Sequence, residues 1–173
     1  MATSHHQPTN GKMTQTTTKP SHAITNAWAH YDGWRLAFEL FSLADSDRDT
    51  DSKLGRATQI CDWLGINPAQ RLADLSDVAS DYIRESALSA EVRSGWQSIC
   101  TSQMVAEQWR MVFSTGGPHL ELKGEFDRYN SPCTFEVHVM DWAEHHELTT
   151  DKHGEQFDEE VLQWVASCIY WGE

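Results

Sequence analysis

Basic residues are scarce in the last third of this chain. Residues 119–173 contain three of them (Lys123, Arg128 and Lys152) against thirteen acidic residues, whereas residues 1–118 contain ten basic and thirteen acidic residues. The net charge of the whole chain is −13. Because contacts to nucleic-acid phosphates require clustered Lys and Arg, the sequence argues against direct binding of DNA or RNA.

Long apolar runs and paired cysteines are also missing. No apolar stretch approaches the length that spans a bilayer, so no membrane segment is expected. The four cysteines are widely spaced and form no CxxC pair, which predicts reduced thiols in a cytoplasmic protein. Residues 1–23 are rich in Thr, Ser, Gln and Asn, with no apolar block, and are predicted to be a flexible tail rather than a signal peptide.

The short motifs of common enzymes are absent as well. The sequence contains no phosphate-binding glycine loop, no GxSxG elbow and no HExxH zinc motif. The aspartate-rich run 45–51 resembles a calcium loop, but Thr50 and Arg56 occupy the positions that need Gly and Glu. We therefore predict no catalytic residues, no metal and no cofactor.

Hydrophobic periodicity predicts helices in the first half of the chain. Apolar residues recur at steps of three or four over 24–43, 54–64 and 76–88. Ser89 is a suitable cap for a fourth helix, which would place Val92, Trp96 and Ile99 on one face. The segment 24–104 is therefore predicted to be helical.

Alternating apolar and polar residues predict strands in the second half. The alternation covers 108–114, 119–126 and 133–139, with Cys133 facing inward, and a weak fourth strand follows at 147–149. Helical spacing returns over 157–171. Together these patterns predict a single α+β domain over 24–173. A helical half precedes an antiparallel meander of three to four strands and a C-terminal covering helix, and the meander and this helix together span 105–173.

The acidic residues of the second half are the main functional candidates. Ten net negative charges would match about 17 Å of duplex DNA if they shared one side of the protein. The competing interpretation is that the acids are scattered and only confer solubility. The predicted partner-binding residues are Glu121, Glu125, Glu136, Asp141, Glu144, Asp158 and Glu159, with Trp142 as an exposed anchor.

Histidines offer a second group of candidates. His138, His145 and His146 lie near Asp141 in sequence and could belong to a metal-dependent hydrolase. Strand alternation places His138 beside Glu136 on a solvent face, and it turns the adjacent rings of His145 and His146 to opposite faces. The favoured interpretation is therefore surface histidines rather than a metal site.

Four short stretches carry a resemblance to a known group of proteins. The segments 113–118 (FSTGGP), 124–127 (GEFD), 141–142 (DW) and 170–173 (YWGE) resemble a family of small phage- and plasmid-borne proteins. The likeness covers residues 105–173. That family has no assigned activity, so the resemblance implies a mobile-element protein and no catalytic residues.

These observations lead to one expected function and two alternatives. The expectation is a non-enzymatic acidic inhibitor or adaptor that binds a basic protein surface, such as that of a nucleic-acid-processing enzyme. By analogy, it would act as an anti-CRISPR or anti-restriction DNA mimic. The alternatives are an immunity protein that neutralises a cognate toxin and the metal-dependent hydrolase.

Overall fold

The computed structural model describes residues 20–46, 50–67, 74–94, 105–142 and 144–171. Within these ranges the helices are α1 (His22–Ala44), α2 (Thr50–Leu64), α3 (Leu75–Ser86) and α4 (Glu159–Ser167). The strands are β1 (Ser89–Arg93), β2 (Gln108–Ser114), β3 (His119–Glu125), β4 (Glu136–Asp141) and β5 (Glu144–Leu148). They form one antiparallel sheet in the order β1-β2-β3-β4-β5, so the predicted α+β class is confirmed. None of the helices in these ranges has the length and apolar character needed to cross a membrane.

Helix α1 lies at the centre of the packing. It begins after Ser21, whose side-chain oxygen accepts a hydrogen bond from the backbone N–H of Ile24. One face of α1 is buried against α2, α3, α4 and the sheet. Trp34 is 1% exposed, and its ring lies 4.6 Å from that of Phe113 on β2. The helices of the first half and the sheet of the second half therefore share one hydrophobic core.

The segment between β5 and α4 is fastened to α1 by polar contacts. The indole Nε1 of Trp28 donates to the carbonyl of Thr150 at 3.0 Å, and the Tyr31 hydroxyl accepts from the backbone N–H of Asp158 at 2.7 Å. Asp32, on the next position of the same helix, pairs with Lys152. These contacts set where α4 begins relative to α1.

The two faces of the sheet differ in the way that alternation predicts. The inner face is apolar and buried; its members are Trp109, Met111, Leu120, Leu122, Val137 and Val139. The outer face carries charged side chains around a hollow of about 520 Å³ that is open to solvent. The sheet therefore contributes one face to the core and presents the other to the surroundings.

The fourth predicted helix is wrong where the structure describes it. Ser89–Arg93 forms the edge strand β1, in which Ala90 pairs with Met111 and Val92 pairs with Trp109. Pairing with a neighbouring strand overrides the helical spacing of the local sequence. The sheet therefore has five strands rather than three or four. The rest of that predicted helix, with Trp96 and Ile99, lies outside the described residues.

The prediction that Cys133 belongs to a buried strand is also wrong. Strand β4 begins at Glu136, and Cys133 is exposed. Before β4, the chain leaves the regular ladder because Phe126 bridges to Pro132 and the side chain of Thr134 accepts from the backbone N–H of Glu125. This detour takes Cys133 out of the alternation, whereas Phe135 packs inward as predicted, with its ring 5.8 Å from that of Trp109.

The ends of other helices and strands differ from the predicted ends by a few residues. Helix α1 starts at His22, two residues before the predicted start at residue 24, and residues 1–19 of the predicted tail lie outside the described residues. Strand β5 is longer than the predicted 147–149 strand, and α4 is shorter than the predicted 157–171 helix. Polar strands such as β5 give no apolar alternation by which to find their ends.

Gly124 occupies a position that no other residue can fill without displacement. A Cβ atom added there would lie 1.7 Å from the backbone oxygen of Thr134. We expect Gly124→Ala to lower the free energy of unfolding by about 3 kcal/mol, because the backbone must move to relieve the overlap. Urea denaturation of the purified variant measures this change.

Gly55 provides the matched control for that prediction. It lies in α2, where an added Cβ would meet nothing within 4 Å. Gly55→Ala should therefore raise the free energy of unfolding, by up to about 1 kcal/mol, since alanine favours a helix interior. Equal effects of the two substitutions would show that the close approach at Gly124 is not a constraint.

The cysteines should differ in reactivity. Burial raises the pKa of Cys168 to about 11 and also raises the pKa of Cys61, whereas Cys133 is exposed. Because the thiolate is the reactive form, an alkylating reagent should modify Cys133 in the folded protein and leave Cys61 and Cys168 intact until it unfolds. Peptide mass spectrometry separates the three thiols. Protection of Cys133 under native conditions would contradict the structure.

Candidate functional site

Trp142 lies at the tip of the hairpin that joins β4 to β5. The last cross-strand pair is Asp141 with Glu144, and Trp142 lies in the turn that follows Asp141. The φ angle of Trp142 is 54°, in the left-handed region. Such turns favour Gly, which has no Cβ atom to clash with the backbone, and Asn or Asp, whose short polar side chains can hydrogen-bond locally; other side chains are strained there. Tryptophan is therefore an unfavourable residue for the turn itself.

The indole ring of Trp142 is not buried, so no hydrophobic contact in the part of the chain that the structure describes compensates for the strain at its backbone. The residue is 99% exposed, compared with 73% for Trp63 and 81% for Tyr170. An exposed ring removes no apolar surface from water, so it adds nothing to the hydrophobic stabilisation of the fold. The strain at this position is not offset by any contact within the described residues.

Acidic side chains flank the ring. Asp141 precedes it, and Glu144, whose side chain is 71% exposed, follows the turn and lies 3.3 Å from His146. The turn between β2 and β3 lies beside this hairpin, since a Cβ atom added at Gly117 would be 3.9 Å from a carboxylate oxygen of Asp141. This end of the sheet therefore presents one exposed aromatic ring between carboxylates.

Glu121 lies on the outer face of the sheet as predicted, but it is not an available carboxylate. It is 5% exposed, and its oxygens lie 3.7 Å from Arg110, 3.3 Å from His119 and 3.5 Å from Lys123. Arg110 also pairs with Glu91 at 2.6 Å, and hydrogen bonds from Arg110 and Ser89 lower the pKa of Glu91. Arg110 on β2 and Lys123 on β3 therefore compensate the negative charge at the centre of this face.

The predicted binding residues fall into separate groups. Glu121, Glu125 and Glu136 line the outer hollow together with Arg93, Arg110 and Lys123, so that surface has mixed charge. Glu136 also lines a second hollow, of about 370 Å³, which it shares with Glu159. Asp141, Trp142 and Glu144 lie at the far end of β4, about 17 Å from Glu136 at the usual rise per strand residue.

Two acidic residues of the second half have clear structural roles. Asp158 caps α4, because its carboxylate accepts from the backbone N–H of Glu160. Asp151 is 4% exposed and accepts from the backbone N–H groups of His153 and Glu155. Burial acts to raise the pKa of Asp151, but these hydrogen bonds, with the charges of His153 and Arg35, lower it overall. Asp158, which the sequence suggested as a binding residue, is therefore engaged in capping the helix.

The histidines form a chain rather than a metal cluster. The Nε2 atom of His138 lies 2.9 Å from a Glu136 oxygen, and its Nδ1 atom lies 2.7 Å from Nε2 of His145. The expectation that His138 faces solvent is wrong, since it is 6% exposed beneath neighbouring side chains. His146 and Asp141 point to the opposite side of the sheet by alternation. Over the described ranges, no group of three or more His, Cys, Asp or Glu residues could hold a metal ion.

The sequence indicated Trp142 as a candidate, but it did not indicate which cationic residues pair with the carboxylates on the outer face of the sheet. Arg110 is among these partners because the register of β2 and β3 brings it near Glu121. Strand register depends on pairing between distant residues, so no local pattern indicates it.

Comparisons with known proteins do not assign this chain to a family. No family model, no curated protein and no solved structure matches this chain. The resemblance to small phage- and plasmid-borne proteins therefore stays a prediction. The candidate site rests on the geometry of the hairpin tip.

Replacing Trp142 should not harm the fold. We expect Trp142→Asn to leave the free energy of unfolding unchanged or to raise it by up to about 1 kcal/mol, because asparagine tolerates the left-handed region. Trp109→Ala, which removes a buried ring that is 2% exposed, should instead cost about 3–5 kcal/mol. Denaturation curves of both variants measure these changes. A loss of stability in Trp142→Asn comparable to that in Trp109→Ala would mean that the ring at the tip supports the fold.

Proposed function

We propose that this chain is a non-enzymatic, acidic protein-binding inhibitor or adaptor, and that the β4–β5 hairpin tip is its point of contact. The observation that carries this proposal is the position of Trp142, which is fully exposed on a strained turn. A residue that is unfavourable for the fold and makes no contact within it is typical of a site shaped by binding.

The chemistry of the tip suits a basic protein surface. Exposed tryptophans are enriched among the residues that dominate binding energy at protein interfaces. The face of an indole ring attracts Lys and Arg cations, and the carboxylates of Asp141 and Glu144 would pair with the same groups. The ring would supply apolar contact area, and the acids would supply orientation and specificity.

The charge of the whole chain supports the same kind of partner. A net charge of −13, concentrated in the last 55 residues, attracts positively charged proteins over distances comparable to the Debye length. Nucleic-acid-processing enzymes are a suitable class, because their grooves carry clustered Lys and Arg. An anti-restriction or anti-CRISPR inhibitor from a mobile element would act on such a groove.

The compensated sheet face favours the tip over the sheet as the contact surface. Glu121 and Glu91 are already paired with cations, so the outer hollow offers less net charge than the sequence implied. A DNA mimic that used the sheet would need these carboxylates free. The hairpin tip needs no such rearrangement.

A pull-down with matched variants tests the proposal. The wild-type chain, Trp142→Asn and Trp63→Ala would each be immobilised and exposed to lysate at about 0.05 M and about 0.5 M salt. We expect a partner with a basic surface to bind the wild type and Trp63→Ala at low salt. Binding to Trp142→Asn should fall at least about tenfold, as for an aromatic anchor worth more than 1.4 kcal/mol.

Trp63 is the control because it is also an exposed tryptophan (73%) but belongs to α2 and not to the β4–β5 hairpin. Equal retention by both variants would remove Trp142 from the interface, and retention that does not change with salt would count against charge attraction. Competition by duplex DNA for the captured partner would indicate an enzyme's nucleic-acid groove. If DNA does not compete and a single cognate protein is captured, the result would favour the immunity-protein alternative.

A further inference from the structure

Two imidazole rings connect the strands of the hairpin on its outer face. Nδ1 of His138 on β4 and Nε2 of His145 on β5 are 2.7 Å apart, and the ring centroids are 4.9 Å apart at 40°. The other nitrogen of His138 lies 2.9 Å from Glu136. His138 is buried, whereas His145 is exposed at the outer edge of the sheet.

The contact between the two rings depends on how many protons they carry. A hydrogen bond between two ring nitrogens needs a proton on one of them and a lone pair on the other. The pair can be neutral or can carry one positive charge, with the Nε2–H of His138 donating to Glu136. If both rings are charged, both facing nitrogens carry protons, the hydrogen bond is lost and the rings repel each other.

Carboxylates and basic groups surround the ring pair. Glu121 on β3 and Glu147 on β5 are the cross-strand neighbours of His138, and Glu136 precedes it on β4. Lys123 and His119 on β3 lie nearby, and Arg110 on β2 lies beyond Glu121. None of these groups lies between the facing nitrogens of the two rings, which are 2.7 Å apart.

We propose that the β4–β5 hairpin is a proton-sensitive element, which acidification loosens by breaking the hydrogen bond between His138 and His145. The exposed ring of His145 is free to swing into solvent when the second proton binds. The turn that carries Trp142 joins these two strands, so it would become less rigid in the same step. This inference concerns the hairpin's own stability and holds whether or not the hairpin tip binds a partner.

Hydrogen–deuterium exchange of the full chain tests the inference. Protection factors of the β4 and β5 amides, corrected for intrinsic exchange, would be measured from about pH 8 to about pH 5, where histidine side chains titrate. We expect them to fall about fivefold in the wild type, the amount that corresponds to losing a strong cross-strand pair. Amides of α1 serve as the internal reference and should not change.

Two variants distinguish loss of the hydrogen bond between the two rings from other effects of low pH. His145→Gln should abolish the pH-dependent loss, because an amide can present either its NH₂ group or its oxygen to His138 and so satisfies it in both protonation states. His146→Gln should behave as the wild type, since His146 faces the other side and contacts Glu144. Unchanged protection in the wild type, or an equal loss in His145→Gln, would overturn the proposal. Long-range ¹H–¹⁵N spectra of the imidazoles would show whether the loss follows protonation of the second ring.

Discussion

The burial of α1 against the inner face of the sheet is the interaction on which the rest of the structure depends. Trp34 and Tyr31 bring the helix into contact with Phe113 on β2 and Phe157 ahead of α4. The same helix packs on α2 and α3, so it is common to both layers. Because one face of the sheet is committed to this core, the sheet can contact other molecules only through its other face and its hairpin ends.

The distribution of charge changes once the strands are placed beside each other. A count along the chain gives the second half a large excess of acid, but pairing of β2 with β3 moves Arg110 to within 3.7 Å of Glu121. Strand β2 thus supplies a cation to the acidic segment 119–173. Asp141 and Glu144, by contrast, lie at the end of the β4–β5 hairpin, beside Trp142. Position relative to the sheet, and not the number of acids, decides which carboxylates a partner could reach.

Much of the fold could be predicted from local periodicity, and the failures share one cause. The long helix at the start and the alternating strands β2 and β3 were found because their burial patterns repeat along the chain. Strand β1 and the exposure of Cys133 were missed because each depends on contacts with residues distant in sequence. The same limit applies to the site: exposure of Trp142 was anticipated, whereas the burial of Glu121 and His138 follows from register and could not be.

The composition of β5 has a consequence for how the protein behaves in concentrated solution. This strand ends the sheet, and its sequence from Glu144 to Glu147 places two carboxylates and two imidazoles along the open edge. An uncharged edge of this kind would offer its unpaired amides and carbonyls to any extended chain. Here an approaching strand would have to strip water from ionisable groups on both sides of the ribbon, which resists edge-to-edge aggregation.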